Sequence, residues 1–237
     1  MNEGRSGLPA AAVEMGVIDA PQPSSVTVFG GLGSLVEPGA AQRLLDAAIE
    51  EFAARGYHAT TTRAIADRVG MSPAALYVHF PSKHAVLFAI VRACHEVALA
   101  DVRAAISNAR DAPGEQLHAA VKAFVSWHGL HPMAARVGQS ELRSLDDAAF
   151  ESIKRLRRAL EEVVEDIIAA GQESGEFDKQ LGVPDAARAI LSLGIDLSRW
   201  YRAGGGLAPS EIGALYAEFA QRMVRLPEQA LHRAVRP

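Results

Sequence analysis

Few side chains of this sequence have the types and spacing needed for catalysis or metal binding. His128 and His131 lie three residues apart upstream of Glu141, and Cys94 directly precedes His95. Two histidines at this spacing are common on helices and match no strong zinc pattern without an established third ligand. The single cysteine cannot form an intramolecular disulfide, and a buried, unreactive thiol in a reducing environment is the simplest interpretation. We therefore predict no catalytic residue, no metal site and no cofactor, and we expect that the protein is not an enzyme.

A glycine-rich stretch near the start of the sequence superficially resembles a phosphate-binding loop. Residues 30–33, Gly-Gly-Leu-Gly, follow the short apolar run 26–29. The glycine spacing is wrong for such a loop, no Lys-Ser or Lys-Thr pair follows, and no βαβ pattern surrounds it. Residues 1–38 are rich in Gly, Pro, Ser and Ala and lack helical periodicity, which predicts a disordered leader.

Residues 72–75, Ser-Pro-Ala-Ala, have small side chains that suit close contact with DNA. The serine is a good N-cap for a short helix that has the proline in its first turn and runs to His79. A preceding short helix is capped by Thr60 or Thr61 and ends at Gly70. Two short helices joined by a glycine turn form a helix-turn-helix, and a second helix of small residues can approach base edges in a major groove ~12 Å wide.

Residues 56–83 closely resemble the DNA-binding region of the tetracycline-repressor (TetR) family of bacterial transcription regulators. The resemblance extends back to Ala40 and forward to about Leu87, roughly a fifth of the chain. It implies that Leu76 and Phe80 face a small core. It also implies DNA contacts to bases or phosphates by Thr62, Arg63, Ser72, Pro73, Ala74, Tyr77, His79 and Lys83.

Ordinary structural roles are the alternatives at several of these positions. Tyr77 and His79 could be packing residues, and Lys83 could be merely exposed. Arg63 could pair with Asp67 one helical turn later. The sequence leaves these alternatives open.

The charge distribution agrees with a DNA-binding segment, although the whole chain of 237 residues has a net charge of −4. Residues 40–92 carry a net charge of +2, whereas residues 1–39 and 93–237 each carry −3. Members of the family often have Arg or Lys just before the first helix, where the side chain reaches the minor groove. Here only Arg43 is present, after an acidic leader, so we predict lower non-specific DNA affinity.

Composition and periodicity predict an all-α fold of about nine helices. The chain is 49% hydrophobic and 22% charged, and Ala, Leu, Glu and Arg dominate its periodic segments. We expect a disordered leader (residues 1–38), a three-helix helix-turn-helix domain (39–85), a ligand-binding and dimerisation domain (86–226) and a C-terminal tail (227–237). After the helix-turn-helix, a long helix begins near Ser82, and further helices are expected over residues 115–131, 132–145, 146–174, 184–201 and 209–226.

The last two predicted helices carry apolar stripes wide enough for both a core and a partner subunit. Because one short recognition helix makes few base contacts, adequate affinity needs two copies on a two-fold axis, with half-sites ~34 to 36 Å apart. We therefore expect a homodimer, with a four-helix interface, and a palindromic operator. The stripes comprise Ile190, Leu193, Leu197 and Trp200, and Ile212, Leu215, Phe219 and Met223.

The resemblance to the family also implies a ligand cavity within the C-terminal helices. Residues 197–205 resemble the end of the corresponding domain in regulators of fatty-acid and sterol catabolism, whose inducers are acyl-CoA thioesters. Coenzyme A phosphates would then meet Arg199, Arg202 or the basic run 154–158, which is otherwise interpreted as a solvated face. The candidate lining residues, suited to a hydrophobic effector, are Phe124, Trp127, Met133, Val137, Phe150 and Trp200.

Together these features predict a DNA-binding transcription regulator, a repressor released from its operator when a small hydrophobic effector, an acyl-CoA for instance, fills the cavity. A drug-responsive regulator of an efflux gene is one alternative, and a helical protein-interaction module without DNA binding is another. Activation instead of repression is also compatible with the sequence. No apolar run approaches the ~20 residues that a membrane span needs, and no secretory signal is evident, so a cytoplasmic protein without membrane contact is expected.

Overall fold

Helices make up most of the chain that the structure describes. The computed structural model describes residues 39–202 and 206–225; the predicted leader, the apolar and glycine-rich residues 26–33 and the predicted C-terminal tail lie outside them. The helices in these described ranges are α1 (Ala40–Arg55), α2 (Thr62–Arg68), α3 (Pro73–His79), α4 (Lys83–Ser107), α5 (Pro113–Leu130), α6 (Pro132–Ser140), α7 (Asp147–Ser174), α8 (Val183–Trp200) and α9 (Pro209–Val224).

The helix starts are set by side-chain caps that the sequence makes visible. Thr61 Oγ1 accepts a hydrogen bond from Ala64 N at 3.1 Å, and Ser72 Oγ accepts one from Ala75 N at 3.2 Å. These caps satisfy backbone donors that the first turn of a helix leaves free. Between α2 and α3, Gly70 adopts a positive φ of 68°, which a residue without a side chain tolerates best. The expected helix-turn-helix is therefore confirmed, with Thr61 as the cap of its first helix.

The three N-terminal helices, which we call the head (α1–α3), have a small core of their own that continues into the remaining helices, which we call the body (α4–α9). Leu45, Ile65 and Leu76 are fully buried, and Phe80 packs against them. The long helix α4 begins beside the head and runs through the body, so the predicted domain boundary at residues 85–86 falls inside one continuous helix.

Close helix contact in the body occurs where α5 meets α9. A side chain at Gly213 would overlap Ser126 Oγ and approach the Lys122 carbonyl oxygen to 2.8 Å. Glycine is therefore needed at this position, because any larger residue would push the two helices apart.

The segment after α6 departs from the sequence prediction of one helix over residues 132–145. Helix α6 ends at Ser140, and a 3₁₀ turn, Leu142–Ser144, follows it. Glu141 lies between them with non-helical dihedral angles (φ −97°, ψ 9°). Periodicity could not show this break, because the segment contains no proline or cap at the point where the chain turns.

Within the described ranges, no helix is both long and apolar enough to span a membrane. In the same part of the chain, no cluster of three or more His, Cys, Asp or Glu side chains is arranged to hold a metal ion. Cys94 lies buried on α4, and burial raises the pKa of its thiol to about 12.

Candidate DNA-binding surface and internal cavity

Helix α3 presents an exposed face that combines small, aromatic and apolar side chains. Ser72 and Ala74 lie exposed in its first turn, while Tyr77 and Val78 in its second half are 51% and 81% exposed. Leu76 on the opposite side is buried and anchors the helix. No role was predicted for Val78, because an apolar residue in a short helix usually predicts packing.

The N-terminal turn of α2 lies beside this face. Thr62 Oγ1 and Tyr77 Oη are 3.2 Å apart, so a hydrogen bond joins the start of α2 to the middle of α3. Exposed Arg63 is on the same turn, and its Nε lies 3.8 Å from the carboxylate of Asp67. A pair this long and this exposed contributes little to stability, so the guanidinium can exchange the carboxylate for another anion at small cost.

Lys83 occupies a position that neither sequence interpretation anticipated. Its ammonium group donates to the carbonyl oxygens of Tyr57 at 2.8 Å, Thr60 at 2.8 Å and His58 at 3.4 Å. The same nitrogen lies 4.3 Å from the centre of the Tyr57 ring. All three donors of an ammonium group are thus used inside the head, whereas His79 lies exposed at the end of α3.

Two arginines of α1 and α2, Arg55 and Arg68, are partly neutralised by their neighbours. Arg68 Nε lies 3.2 Å from Glu50 and 3.3 Å from the buried carboxylate of Glu51, which also pairs with Arg55 at 3.4 Å. The positive charge that the head offers to a phosphate backbone is therefore smaller than its count of basic residues implies.

An internal cavity of about 360 Å³ lies in the body between α4, α5, α6, α7 and α8. Its size is within the range of small-molecule sites. Apolar walls come from Phe124, Trp127, Leu160, Leu191 and Ile195, and polar groups come from His95, His128, Gln139, Arg157, Glu161 and Arg188.

The structure places only some of the predicted lining residues on this cavity. Phe124 and Trp127 line it. Val137 is buried elsewhere in the core, and the remaining predicted side chains are exposed at the surface: Met133, Phe150 and Trp200. Periodicity identifies apolar positions on a helix but not which of them face a void, because that depends on how five helices pack together.

Most of the polar side chains that line the cavity were not predicted from the sequence, for a related reason. Arg157 belongs to the basic run 154–158, which was interpreted either as a solvated face or as a contact for coenzyme A phosphates. It lies instead on the cavity wall and donates from Nη1 to Gln139 Oε1 at 2.9 Å. Its neighbour Arg158 does face solvent, where it pairs with Glu162 at 3.1 Å and Glu165 at 2.9 Å. The solvated-face prediction was therefore wrong for one residue of the run.

Helix α6 separates the cavity from the head. Its residues Gly138 and Gln139 line the cavity. On its other side, Tyr57 N donates to Glu141 Oε1 at 3.2 Å, and Arg136 Nη2 donates to the Ala53 carbonyl oxygen at 3.2 Å. A displacement of α6 by a molecule in the cavity would therefore move the hydrogen-bond partners of residues at the end of α1.

The two final helices carry apolar side chains on two faces, as their sequences predicted. Ile190, Leu197 and Ile212 are buried in the core. The exposed apolar side chains of the same helices are Leu193, Trp200, Phe219 and Met223. Such side chains are typical of a surface that a partner covers.

Comparison with known proteins places both halves of the chain in one family. Residues 44–90 match the family model described as "Bacterial regulatory proteins, tetR family", and residues 110–224 match "Tetracyclin repressor-like, C-terminal domain". The chain is 30% identical over 174 residues to the HTH-type transcriptional repressor KstR2 of Mycobacterium tuberculosis, covering 73% of this chain and 86% of that protein.

Two solved structures agree with this result. A bacterial regulatory protein in the tetR family from Rhodococcus RHA1 is 44% identical, with a TM-score of 0.75 over 81% of this chain and 100% of that one. The ketosteroid transcriptional regulator KstR2 of Mycobacterium tuberculosis is 27% identical, with a TM-score of 0.74 over 81% of this chain and 98% of that one. The chain therefore belongs to the TetR family and is a DNA-binding transcription regulator with an N-terminal helix-turn-helix.

Proposed function

We propose that the protein is a ligand-released repressor that binds a palindromic operator as a homodimer. The observation that carries this proposal is the exposed face of α3, where small residues precede an outward-pointing tyrosine. Small side chains let the helix backbone approach base edges, and a tyrosine hydroxyl can bond to a base or a phosphate. The similarity to a protein named as a repressor supports repression over activation.

The proposed DNA contacts follow from this placement. Val78 joins the predicted set because its exposed methyl groups suit contact with a thymine methyl group. Lys83 contributes to DNA binding only by shaping the loop before α2, since its donors are used there. The proposed contact residues are Thr62, Arg63, Ser72, Pro73, Ala74, Tyr77, Val78 and His79.

The effector is a hydrophobic molecule with an anionic group, and we favour an acyl-CoA thioester. The cavity walls are mainly apolar, while Arg157 and Arg188 on α7 and α8 supply cationic groups at its more exposed side. Binding displaces α6 and α4, and both helices contact the head, so the two heads of a dimer lose the spacing that the operator requires.

Fluorescence anisotropy with the DNA upstream of the protein's own gene tests the operator proposal. We expect salt-sensitive, sequence-selective binding that Tyr77→Ala abolishes without loss of helix content or dimerisation. Phe150→Ala removes a comparably exposed aromatic side chain from the body and serves as the control, with unchanged affinity. Unchanged affinity of Tyr77→Ala would contradict the assignment of α3, and the absence of selective binding by the wild-type protein would favour a protein-interaction module.

Release of the same DNA by added ligands tests the effector proposal. We expect one of octanoyl-, dodecanoyl- and hexadecanoyl-CoA to raise the melting temperature of the protein and to dissociate the complex. Ethidium serves as a cationic drug for comparison. Dissociation by ethidium together with indifference to all three thioesters would overturn the acyl-CoA proposal and favour a drug-responsive regulator. Reduced expression from a reporter under the operator distinguishes repression from activation.

A further inference from the structure

Two histidines from neighbouring helices line the cavity. His95 is on α4 and His128 is on α5, and both line the cavity. His128 is only 2% exposed. In contrast, the side chains of Arg188 and Glu161, which also line the cavity, are 63% and 31% exposed. The cavity therefore has a charged outer side and an inner side with two imidazole rings.

Backbone hydrogen bonds fix the tautomer of both rings. His95 Nδ1 lies 2.8 Å from the Val91 carbonyl oxygen, and His128 Nδ1 lies 2.8 Å from the Phe124 carbonyl oxygen. A carbonyl oxygen can only accept, so each Nδ1 carries the hydrogen atom. In a neutral ring, Nε2 is then a hydrogen-bond acceptor.

Both rings are neutral at physiological pH. Burial lowers the pKa of each histidine to about 4, and for His95 the positive charge of Arg157 lowers it further, against the opposing effect of the backbone hydrogen bond. The pKa of His128 is also lowered by His95 and His131. The inner wall therefore offers acceptor lone pairs and no positive charge.

At least one of these acceptors has no partner within the protein. His95 Nε2 is buried and makes no hydrogen bond to any described residue. The indole Nε1 of Trp127, another lining residue, is a buried donor that is likewise unpaired in the described part of the chain. A buried polar atom without a partner is unfavourable, so a bound molecule that satisfies these atoms would gain affinity from them.

We propose that the inner end of the cavity is a subsite for a hydroxyl group of the effector, formed by Nε2 of His95 with Nε2 of His128 beside it. A hydroxyl can donate to an imidazole Nε2 and can also accept from an indole N–H. A carboxylate only accepts, and a methyl group does neither. This inference rests on the proposed effector role of the cavity, and it orients the effector with its hydroxyl end inward and its anionic end toward Arg157 and Arg188.

The test uses two probes of the same size that differ in one group, 2-naphthol and 2-methylnaphthalene. Both are small enough for the cavity of about 360 Å³, so either can reach the inner end whatever the length of the natural effector. An apolar wall would favour the methyl compound, which leaves water more readily. The dissociation constants are measured by titration calorimetry for the wild-type protein and for His95→Leu, with His131→Leu as the control because His131 does not line the cavity.

We expect the wild-type protein to bind 2-naphthol at least tenfold more tightly than 2-methylnaphthalene. His95→Leu should reduce that ratio by tenfold or more, which corresponds to ~1.4 kcal/mol, and His131→Leu should preserve it. A wild-type preference for the methyl compound, equal ratios in wild type and His95→Leu, or failure to bind either probe would overturn the subsite. If His95→Leu does not fold, His128→Leu replaces it under the same criterion.

The result of the 2-naphthol test can be distinguished from the result of the operator-binding test. Operator binding and its release by acyl-CoA are measured without naphthyl probes, so a DNA-binding protein with no preference for 2-naphthol would lose only the hydroxyl subsite. A protein that prefers 2-naphthol but binds no operator would lose the regulatory proposal and keep the subsite.

Discussion

At the residue scale, what a charged or polar side chain does depends on the acceptors and donors within its reach. Lys83 is the clearest case, because the residue type and position are those of a phosphate contact. Its ammonium group is instead surrounded by three carbonyl oxygens of residues 57–60. Hydrogen bonds from a charged donor to buried or half-buried carbonyl groups are among the stronger ones in proteins.

Lys83→Met should therefore destabilise the folded protein even in the absence of DNA. Methionine keeps much of the aliphatic stem but removes every donor, so we expect the free energy of unfolding to fall by about 1–3 kcal/mol. Urea denaturation followed by circular dichroism measures the change. Lys122→Met removes an exposed lysine from α5 and should change stability by less than about 0.5 kcal/mol. Equal, small effects in the two variants would show that Lys83 is a surface charge only.

The buried histidines make the free energy of unfolding depend on pH, and the direction follows from their lowered pKa values. Since the folded-state pKa of His128 is about 4 and its ordinary value is 6.5, the unfolded chain takes up a proton first as the pH falls. The stability that the neutral His128 contributes is thus fully present above pH 6.5 and is lost as the pH falls toward 4. The carboxyl of Asp46, whose pKa burial raises to about 6, acts in the opposite direction in the same range, so a difference between variants is the informative quantity.

His128→Leu should flatten the acid side of the stability curve. Between pH 6.5 and 4.5, the free energy of unfolding should decrease less steeply for the variant than for the wild type, because one proton fewer is bound on unfolding. Urea titrations at half-unit steps of pH provide the two curves. Parallel curves would mean that His128 is protonated in the folded protein and is not a hydrogen-bond acceptor.

Sequence reasoning succeeded at the residue scale where a role is local. Thr61 and Ser72 cap their helices by contacts three residues away, and a short motif contains all the necessary information. The solvated-face interpretation failed for Arg157, because the Gln139 side chain to which it donates belongs to another helix. Cavity-lining residues depend on such distant neighbours, and only Phe124 and Trp127 of the six predicted ones lie on the cavity.

At the element scale, nearly every helix was predictable because all of them except α1 begin at a side-chain cap or have a proline in the first turn. The exception is the end of α6, where the predicted helix over residues 132–145 is broken at Glu141. This break places the Glu141 carboxylate against Tyr57 N at 3.2 Å and Ser144 Oγ at 3.1 Å. The irregular segment is thus one of the places where the body is hydrogen-bonded to the head, and a periodic sequence pattern does not predict such a tertiary contact.

Glu141→Ala should weaken the coupling between cavity and operator without altering either binding site. In the absence of DNA, the acyl-CoA that releases the wild-type protein should bind the variant with an affinity within twofold of the wild type. The factor by which this thioester lowers operator affinity should fall about fivefold to tenfold, within the usual range of coupling energies. Anisotropy titrations at zero and saturating thioester give the factor.

Glu141→Gln is the matched control for this experiment. Its amide oxygen can still accept the hydrogen bond from Tyr57 N, so coupling should remain close to the wild-type value. Full coupling in Glu141→Ala would show that the hydrogen bond between Glu141 and Tyr57 does not transmit the effect of the ligand, and would leave the Arg136–Ala53 contact of α6 and helix α4 as the connections between body and head.

At the whole-molecule scale, the body has two uses for its apolar residues, and the sequence could separate them only in part. Helices α8 and α9 bury Leu197 and Ile212 while leaving Leu193 and Phe219 exposed. The width of the apolar stripes predicted this division, since a helix in contact with one core alone needs a narrower stripe. The cavity could not be predicted in the same way, because its shape follows from the packing of five helices.

Disruption of the exposed apolar face should abolish high-affinity operator binding while the head stays folded. Phe219→Glu places a charge on α9 at a side chain that is 40% exposed, whereas Phe150→Glu makes the same change on α7 at one that is 42% exposed. Light scattering should show a monomer only for Phe219→Glu, because burying an unpaired carboxylate in an interface is strongly unfavourable. Helix content should be unchanged in both variants.

The consequences for DNA binding follow from having one head in place of two. A monomer contacts one half-site. Operator affinity should therefore fall by at least about 100-fold, because binding of one head no longer raises the effective concentration of a second head at the other half-site. The slope of log affinity against log salt concentration should also fall to about half, since half as many phosphates are contacted. A monomeric Phe219→Glu protein with the affinity and salt slope of the wild type would show that a single head suffices, and the palindromic operator would no longer be required.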